Sequence, residues 1–175
     1  MKALIAYFSR SGNNYVGSKI EKLHVGNTAA AAKIAARLTG ADEHRIDTVK
    51  PYPEGYEETT EAAKLELCRN ARPELSAPLK AIDEYTHIVL GYPNWWGTMP
   101  MAVFTFLESF DFSGKTIAPF CTNEGSGLGK SESDIKRLCP KAIVLPGLAI
   151  RGGEAKDAGP AIEAWLVKSG LVFVR

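Results

Sequence analysis

Short apolar runs alternate with longer amphipathic segments along the chain. Residues 3–8 are apolar throughout, as a strand covered on both faces requires. Ala30, Ile34 and Leu38 then recur at helical spacing, and Gly40 marks a stop. Residues 43–46 read as a weaker second strand. Pro51 and Pro53 precede a stretch in which Tyr56, Ala63 and Leu67 share one helical face, which predicts a helix over about 55–70. Residues 87–92 read as a third strand and 101–108 as a short helix. Residues 116–121 read as a fourth strand, in which Pro119 removes one ladder donor. Ile135, Leu138 and Cys139 mark a further helix, 142–145 a fifth strand, and Ile162, Trp165 and Leu166 one face of a last helix. Residues 171–174 fit either an edge strand or a packed tail. Strands alternating with helices predict an α/β fold, a parallel sheet with helices on both faces.

Composition narrows this picture. A chain of 175 residues suits one domain, and 45% hydrophobic with 23% charged residues argues against disorder. Twenty-one Lys and Arg against 20 Asp and Glu leave a net charge of +1, which excludes a global attraction to nucleic acid or acidic membranes as the main function. Cys68, Cys121 and Cys139 are odd in number and share no C-x-x-C spacing, so they read as reduced thiols, not a disulfide framework or zinc site. Ser9-Arg10-Ser11 stops the first apolar run before it reaches signal-peptide length, and no run approaches the ~20 residues that span a bilayer. The expectation is a cytoplasmic protein, a monomer or weak homodimer.

In an open parallel α/β sheet, ligands bind beyond the carboxyl ends of the strands. The loops after the first, third and fourth strands are therefore the ones to read. The first leads to Gly26-Asn27-Thr28, directly ahead of the alanine-rich helix. Free amides and the positive dipole end there suit an anion, and the hydroxyls of Ser9, Ser11 and Thr28 and the charge of Arg10 would add to it. Simple capping by Asn27 or Thr28 is the competing reading.

Several stretches together carry a resemblance. They are Ala6-Tyr7-Phe8-Ser9-Arg10-Ser11-Gly12, Gly26-Asn27-Thr28, Pro51-Tyr52-Pro53, Leu90-Gly91-Tyr92-Pro93-Asn94-Trp95-Trp96-Gly97, Phe106-Leu107-Glu108, Asp111-Phe112-Ser113-Gly114-Lys115, Pro119-Phe120-Cys121-Thr122 and Gly125-Ser126-Gly127. On these the chain resembles the flavodoxin-like family, in its short bacterial branch of FMN-binding flavoproteins. The resemblance implies a three-layer α/β sandwich with a five-stranded parallel sheet ordered 2-1-3-4-5, and non-covalently bound FMN. It implies phosphate contacts from Ser9, Arg10, Ser11, Asn27, Thr28 and Ala29. Pro93, Asn94, Trp95, Trp96 and Gly97 would meet the flavin ring, with amides near Asn94 facing its nitrogens. Thr122, Asn123, Glu124, Gly125, Ser126 and Gly127 would close the opposite edge, where the Glu124 charge would influence the flavin. No side chain need act as an acid or base.

The chain departs from the family in one place. The family's phosphate loop runs Ser-x-Thr-Gly-Asn-Thr without a break, whereas here residues 13–25 separate Gly12 from Gly26. This reads as an insertion, either a flap, a partner contact or a surface excursion. Asn27 resumes the pattern, and Asn13 is the alternative for that position.

Other motifs fall away. Gly125 to Ser131 ends like a Walker A loop, but only three residues separate Gly125 from Gly129 where four are needed, and no G-x-S-x-G surrounds Ser126. His24, His44 and His87 have no metal-ligand spacing. Glu54, Glu57, Glu58, Glu61 and Glu66 read as a solvated helix face, with docking of a basic redox partner as the alternative. The leading expectation is an electron-transferring FMN protein with a redox partner protein. The alternatives are an NAD(P)H-dependent FMN or quinone reductase and a flavin-free interaction module. The near-neutral charge departs from the acidic character of flavodoxin carriers.

Overall fold

A run of β-prone apolar residues cannot expose either face to water, so the central strands demand cover on both sides. The computed structural model, which describes residues 2–172, supplies that cover. Its elements are β1 (Ala3–Tyr7), β2 (Gly12–Val16), β3 (Lys19–Leu23), α1 (Asn27–Thr39), β4 (Asp42–Arg45), α2 (Tyr56–Cys68), β5 (His87–Pro93), α3 (Met101–Glu108), β6 (Thr116–Asn123), α4 (Ser131–Leu138), β7 (Ile143–Val144), β8 (Leu148–Arg151) and α5 (Gly159–Lys168). The main sheet is ordered β4-β1-β5-β6-β7, and β8 also pairs with β6; all these pairings are parallel.

Alternate residues divide between the two faces, as the pleat requires. Ile5, Tyr7, Val89, Ala118 and Phe120 pack under α1 and α5, against Ala31, Ala32, Ala35, Ile162 and Leu166. Leu4, Ala6, Ile88, Leu90, Tyr92 and Ile117 face the other way, against Val103, Phe106 and Leu107 of α3 and Ile135 of α4. The alanines of α1 let its axis lie close to the sheet and leave its first residues at the strand ends.

The fifth strand differs from expectation. It stops at Val144, and a second piece, β8, resumes at Leu148 beside the end of β6. Pro146-Gly147 separates the two pieces. The break resolves the difficulty of Pro119. Leu145 N–H donates to Ile117 O at 2.9 Å, so the odd residues of β6 direct their backbone toward this neighbour. The donor that Pro119 lacks therefore falls in the gap, where no ladder bond is needed. β6 accordingly runs on to Asn123, two residues past the expected end. Residues 171–172 form no strand, and 173–175 lie outside the described residues.

The inserted segment also has a definite form. β2 and β3 make an antiparallel hairpin closed by Gly17 and Ser18, whose φ values of +56° and +77° are those of a type I′ turn. Asn13 pairs with Lys22 inside this hairpin, so Asn27 holds the first position of α1. Among the described residues no helix is long and apolar enough to cross a membrane, and no cluster could hold a metal ion.

Candidate functional site

A cavity of about 470 Å³ opens beyond the carboxyl ends of β1, β5 and β6, in the size range of small-molecule sites. One end is polar and deeply set. Ser9, Thr28 and Thr122 line it while only 3%, 2% and 5% exposed. The Thr28 and Thr122 hydroxyls share a 2.7 Å hydrogen bond that ties the start of α1 to the end of β6. Gly26 caps α1 without a side-chain bond. Ala29 N–H donates to Ser9 Oγ at 3.0 Å and Ala30 N–H to Gly26 O, leaving the amides of Asn27 and Thr28 with no acceptor among the described residues. Two unclaimed amides at the positive end of a thirteen-residue helix, beside buried hydroxyls, make an anion cradle.

The other end is aromatic. Trp95 is half-buried and meets Phe8 and Tyr52 edge-on, with centroids 5.2 and 5.0 Å away. Trp96 is 50% exposed, its indole N–H donates to Thr60 O at 2.9 Å, and the Lys64 ammonium lies 5.1 Å from its ring. Its φ of +54° is rare for a bulky residue. Trp95 and Thr98 exchange both backbone bonds around Trp96 and Gly97, forming a tight turn that forces this conformation. Strain of this kind, typically 1–3 kcal/mol, persists where the surroundings over-determine it and clusters at ligand sites. Thr59, Thr60 and Ala63 of α2 also line the cavity.

Twelve residues expected from the sequence line this cavity: Ser9, Arg10, Asn27, Thr28, Pro93, Asn94, Trp95, Trp96, Thr122, Asn123, Glu124 and Ser126. Three of them spend their polar groups inside the protein. The Arg10 guanidinium donates to the carbonyls of Asn13, Pro53, Glu54 and Gly55, and burial lowers its pKa, with Glu54 opposing. It locks the insertion to the segment before α2 instead of aiming its charge at the cradle. Asn94 donates to Gly127 O at 2.8 Å and accepts from Gly97 N–H at 2.9 Å. Asn123 accepts from the amides of Gly125 and Gly127 and donates to Ile150 O.

Of the amides near Asn94 expected to face a ligand, most are spent inside the protein. The N–H groups of Asn94, Trp95 and Gly97 are all taken by Thr122 O, Thr98 O and Asn94 Oδ1, which leaves that of Trp96 in this turn. Ser11 is exposed and outside the cavity lining, and Ala29 is buried behind Ser9. Gly97, Gly125 and Gly127, with φ of +81°, +123° and +62°, shape the loops and do not line the cavity.

Asn14, Tyr15, Tyr56, Thr59, Thr60, Ala63 and Gly152 line it without having been singled out. Tyr56 and Ala63 were legible only as a packing face, and Asn14 and Tyr15 lay in an insertion of no assigned role. Gly152 carried no local signal. A Cβ there would sit 2.1 Å from Glu124 Oε1 and 2.5 Å from Asn27 Nδ2, so the carboxylate occupies space that any larger residue would fill. Glu124 Oε2 accepts the Gly17 N–H of the hairpin at 3.0 Å. Burial, with smaller contributions from Tyr15 and Glu124, raises the Tyr56 pKa. Behind the site, burial pushes the Cys121 thiol up to about 12, so it remains protonated and is no nucleophile.

Comparison with known proteins agrees with this architecture. The flavodoxin family model matches residues 2–168. A candidate flavoprotein from Bacteroides eggerthii is 28% identical over 95% of this chain and 96% of its own, with a TM-score of 0.77. One from Bacteroides uniformis is 26% identical over 95% and 97%, with a TM-score of 0.75. A Lactobacillus acidophilus flavoprotein solved in complex with FMN shares the fold at 22% identity over 91% and 98%, with a TM-score of 0.61. No curated protein sequence matches. An anion cradle and an aromatic wall at the strand ends of a β4-β1-β5-β6-β7 sheet, matched by a family model over nearly the whole length, place this chain in the flavodoxin family.

Proposed function

We propose that the protein binds FMN non-covalently and transfers electrons through it. The observation that carries this reading is the two-ended cavity. Its polar end offers what a phosphate needs: two unclaimed α1 amides, the Ser9 hydroxyl and the linked Thr28 and Thr122 hydroxyls. Its aromatic end offers what a flat ring needs, the exposed indole of Trp96 with Trp95 beside it. The Lactobacillus protein that shares the fold holds FMN, which supports the same ligand here.

The flavin supplies the redox chemistry, and the protein supplies position and electrostatics. Ser9 and the α1 amides hold the phosphate. Trp96, fixed by its turn and by Thr60, presents its ring without needing to reorganise. The paired Thr28 and Thr122 hydroxyls keep the two strand-end loops in register. Glu124 brings a negative charge close to Asn27, which tunes how strongly the cradle attracts a dianion.

The natural partner on this reading is a redox protein. A net charge of +1 favours a second reading, in which reduced nicotinamide or a quinone exchanges electrons directly with the flavin. The visible spectrum of the protein after loading with FMN and removal of the excess tests the first claim, and stoichiometric retained flavin is expected. A protein that retains none refutes it. Oxidation of NAD(P)H by the loaded protein, saturable in nucleotide and in quinone, separates the reductase from the carrier.

A further inference from the structure

The β2–β3 hairpin is fastened on both sides of the cavity. Near its base, Arg10 holds Asn13 O together with the carbonyls before α2, and Lys22 Nζ pairs with Glu54 at 2.8 Å. Asn14 Nδ2 folds back onto Arg10 O and Gly12 O at 3.2 and 3.0 Å. At its tip, Gly17 N–H binds Glu124, and Val16 is buried near Gly153, opposite the α2 side. The hairpin therefore spans the mouth. Tyr15 lines the cavity and stacks on Tyr56 of α2, with centroids 6.0 Å apart and planes 30° from parallel, while 41% of Tyr15 stays exposed. The tyrosine pair is a flat aromatic surface at the rim of the site, held on an element tethered at both ends.

We propose that the hairpin is a wall of the binding site and that Tyr15, backed by Tyr56, is a contact for the ring of the bound flavin. This rests on the FMN reading and adds the insertion to the ring-contacting surface that the tryptophan loop provides. The phosphate cradle belongs to Ser9 and α1, so the contribution of Tyr15 is to the ring alone. An aromatic contact of this kind amounts to roughly three- to ten-fold in affinity.

The test is a comparison of FMN and riboflavin binding by the whole protein and its Tyr15→Ala and Tyr15→Phe variants, with thermal unfolding as the control for folding. Tyr15 is a surface residue, so the variants fold. Tyr15→Ala is expected to weaken both flavins by the same factor and to make the bound flavin's fluorescence more accessible to iodide quenching. Tyr15→Phe, which keeps the ring, is expected to stay within two-fold of the native affinity. Native FMN affinity in Tyr15→Ala, or a loss confined to FMN, overturns the inference and leaves the FMN reading standing. A native protein that takes up neither flavin overturns the FMN reading itself, and this inference with it.

Discussion

Replacing Asn27 by Asp isolates the electrostatics of the cradle, because it exchanges an amide for a carboxylate of the same shape at the first residue of α1. The helix gains from an acid in its first turn, about 0.3–1 kcal/mol. Against this stands Glu124. Its Oε1 and Asn27 Nδ2 lie 2.1 and 2.5 Å from one point, the position of a Gly152 Cβ, and so are no more than about 4.6 Å apart. Two carboxylates at that spacing repel by roughly 1 kcal/mol where water screens them. The two effects nearly cancel, so the apo fold should unfold at close to the native temperature. Binding has no such compensation. A unit charge about 4–8 Å from a phosphate, at an effective dielectric near 20, costs roughly 2–4 kcal/mol. Asn27 is partly exposed, and screening by water about halves that estimate, to a loss of roughly five- to thirty-fold. Riboflavin, lacking the phosphate, should lose less than about three-fold. Glu124→Gln is the mirror experiment: it removes a charge beside the cradle and should raise the FMN-to-riboflavin affinity ratio several-fold. Both constants come from fluorescence titration of the apoprotein at low salt, repeated at high salt, where the difference should shrink. If Asn27→Asp weakens both flavins equally, the phosphate does not lie at α1.

Three further outcomes follow from the same geometry. Trp96→Ala should weaken FMN and riboflavin alike, by roughly ten-fold, with little loss of stability because the indole is half exposed; unchanged titrations would return this ring to the surface. Gly91→Ala should destabilise the fold by about 1–3 kcal/mol in urea denaturation, since its Cβ would lie 2.2 Å from Phe120 Cζ in the packed core; native stability would mean that Phe120 has room to move. His44, stacked on Phe106, has its pKa lowered by burial, with Asp47 opposing. The unfolded chain then binds the proton more readily, so this contribution to stability is complete above the ordinary value of 6.5 and is lost as pH falls below it. His44→Gln should flatten the fall in melting temperature between about pH 6.5 and 5, and an unaltered slope would assign that fall to other groups.

Much of this protein is written in local pattern. Six apolar residues in a row, an alanine-rich helix closed by Gly40 and the alternation that follows determine an α/β sheet and the strand ends at which a site must lie. The strand-end loops after β1, β5 and β6 were legible because glycine, hydroxyl and aromatic residues gather there, and twelve of the residues so chosen meet in one cavity. What each of them does there was not legible. Arg10, Asn94 and Asn123 carry polar groups that suit a ligand, yet carbonyls and amides up to 45 positions away claim them. The fifth strand was half seen, because Pro146-Gly147 ends a local pattern while the pairing partner, β6, continues past it. The insertion lay furthest from reach. Its hairpin is set by a two-residue turn, but its place over the cavity depends on Gly17 reaching Glu124, 107 positions on. Periodicity along the chain determines which elements form, because burying an apolar face is a local demand. Only tertiary packing decides which polar groups are left free for a ligand, because every donor and acceptor must first be matched against the whole fold.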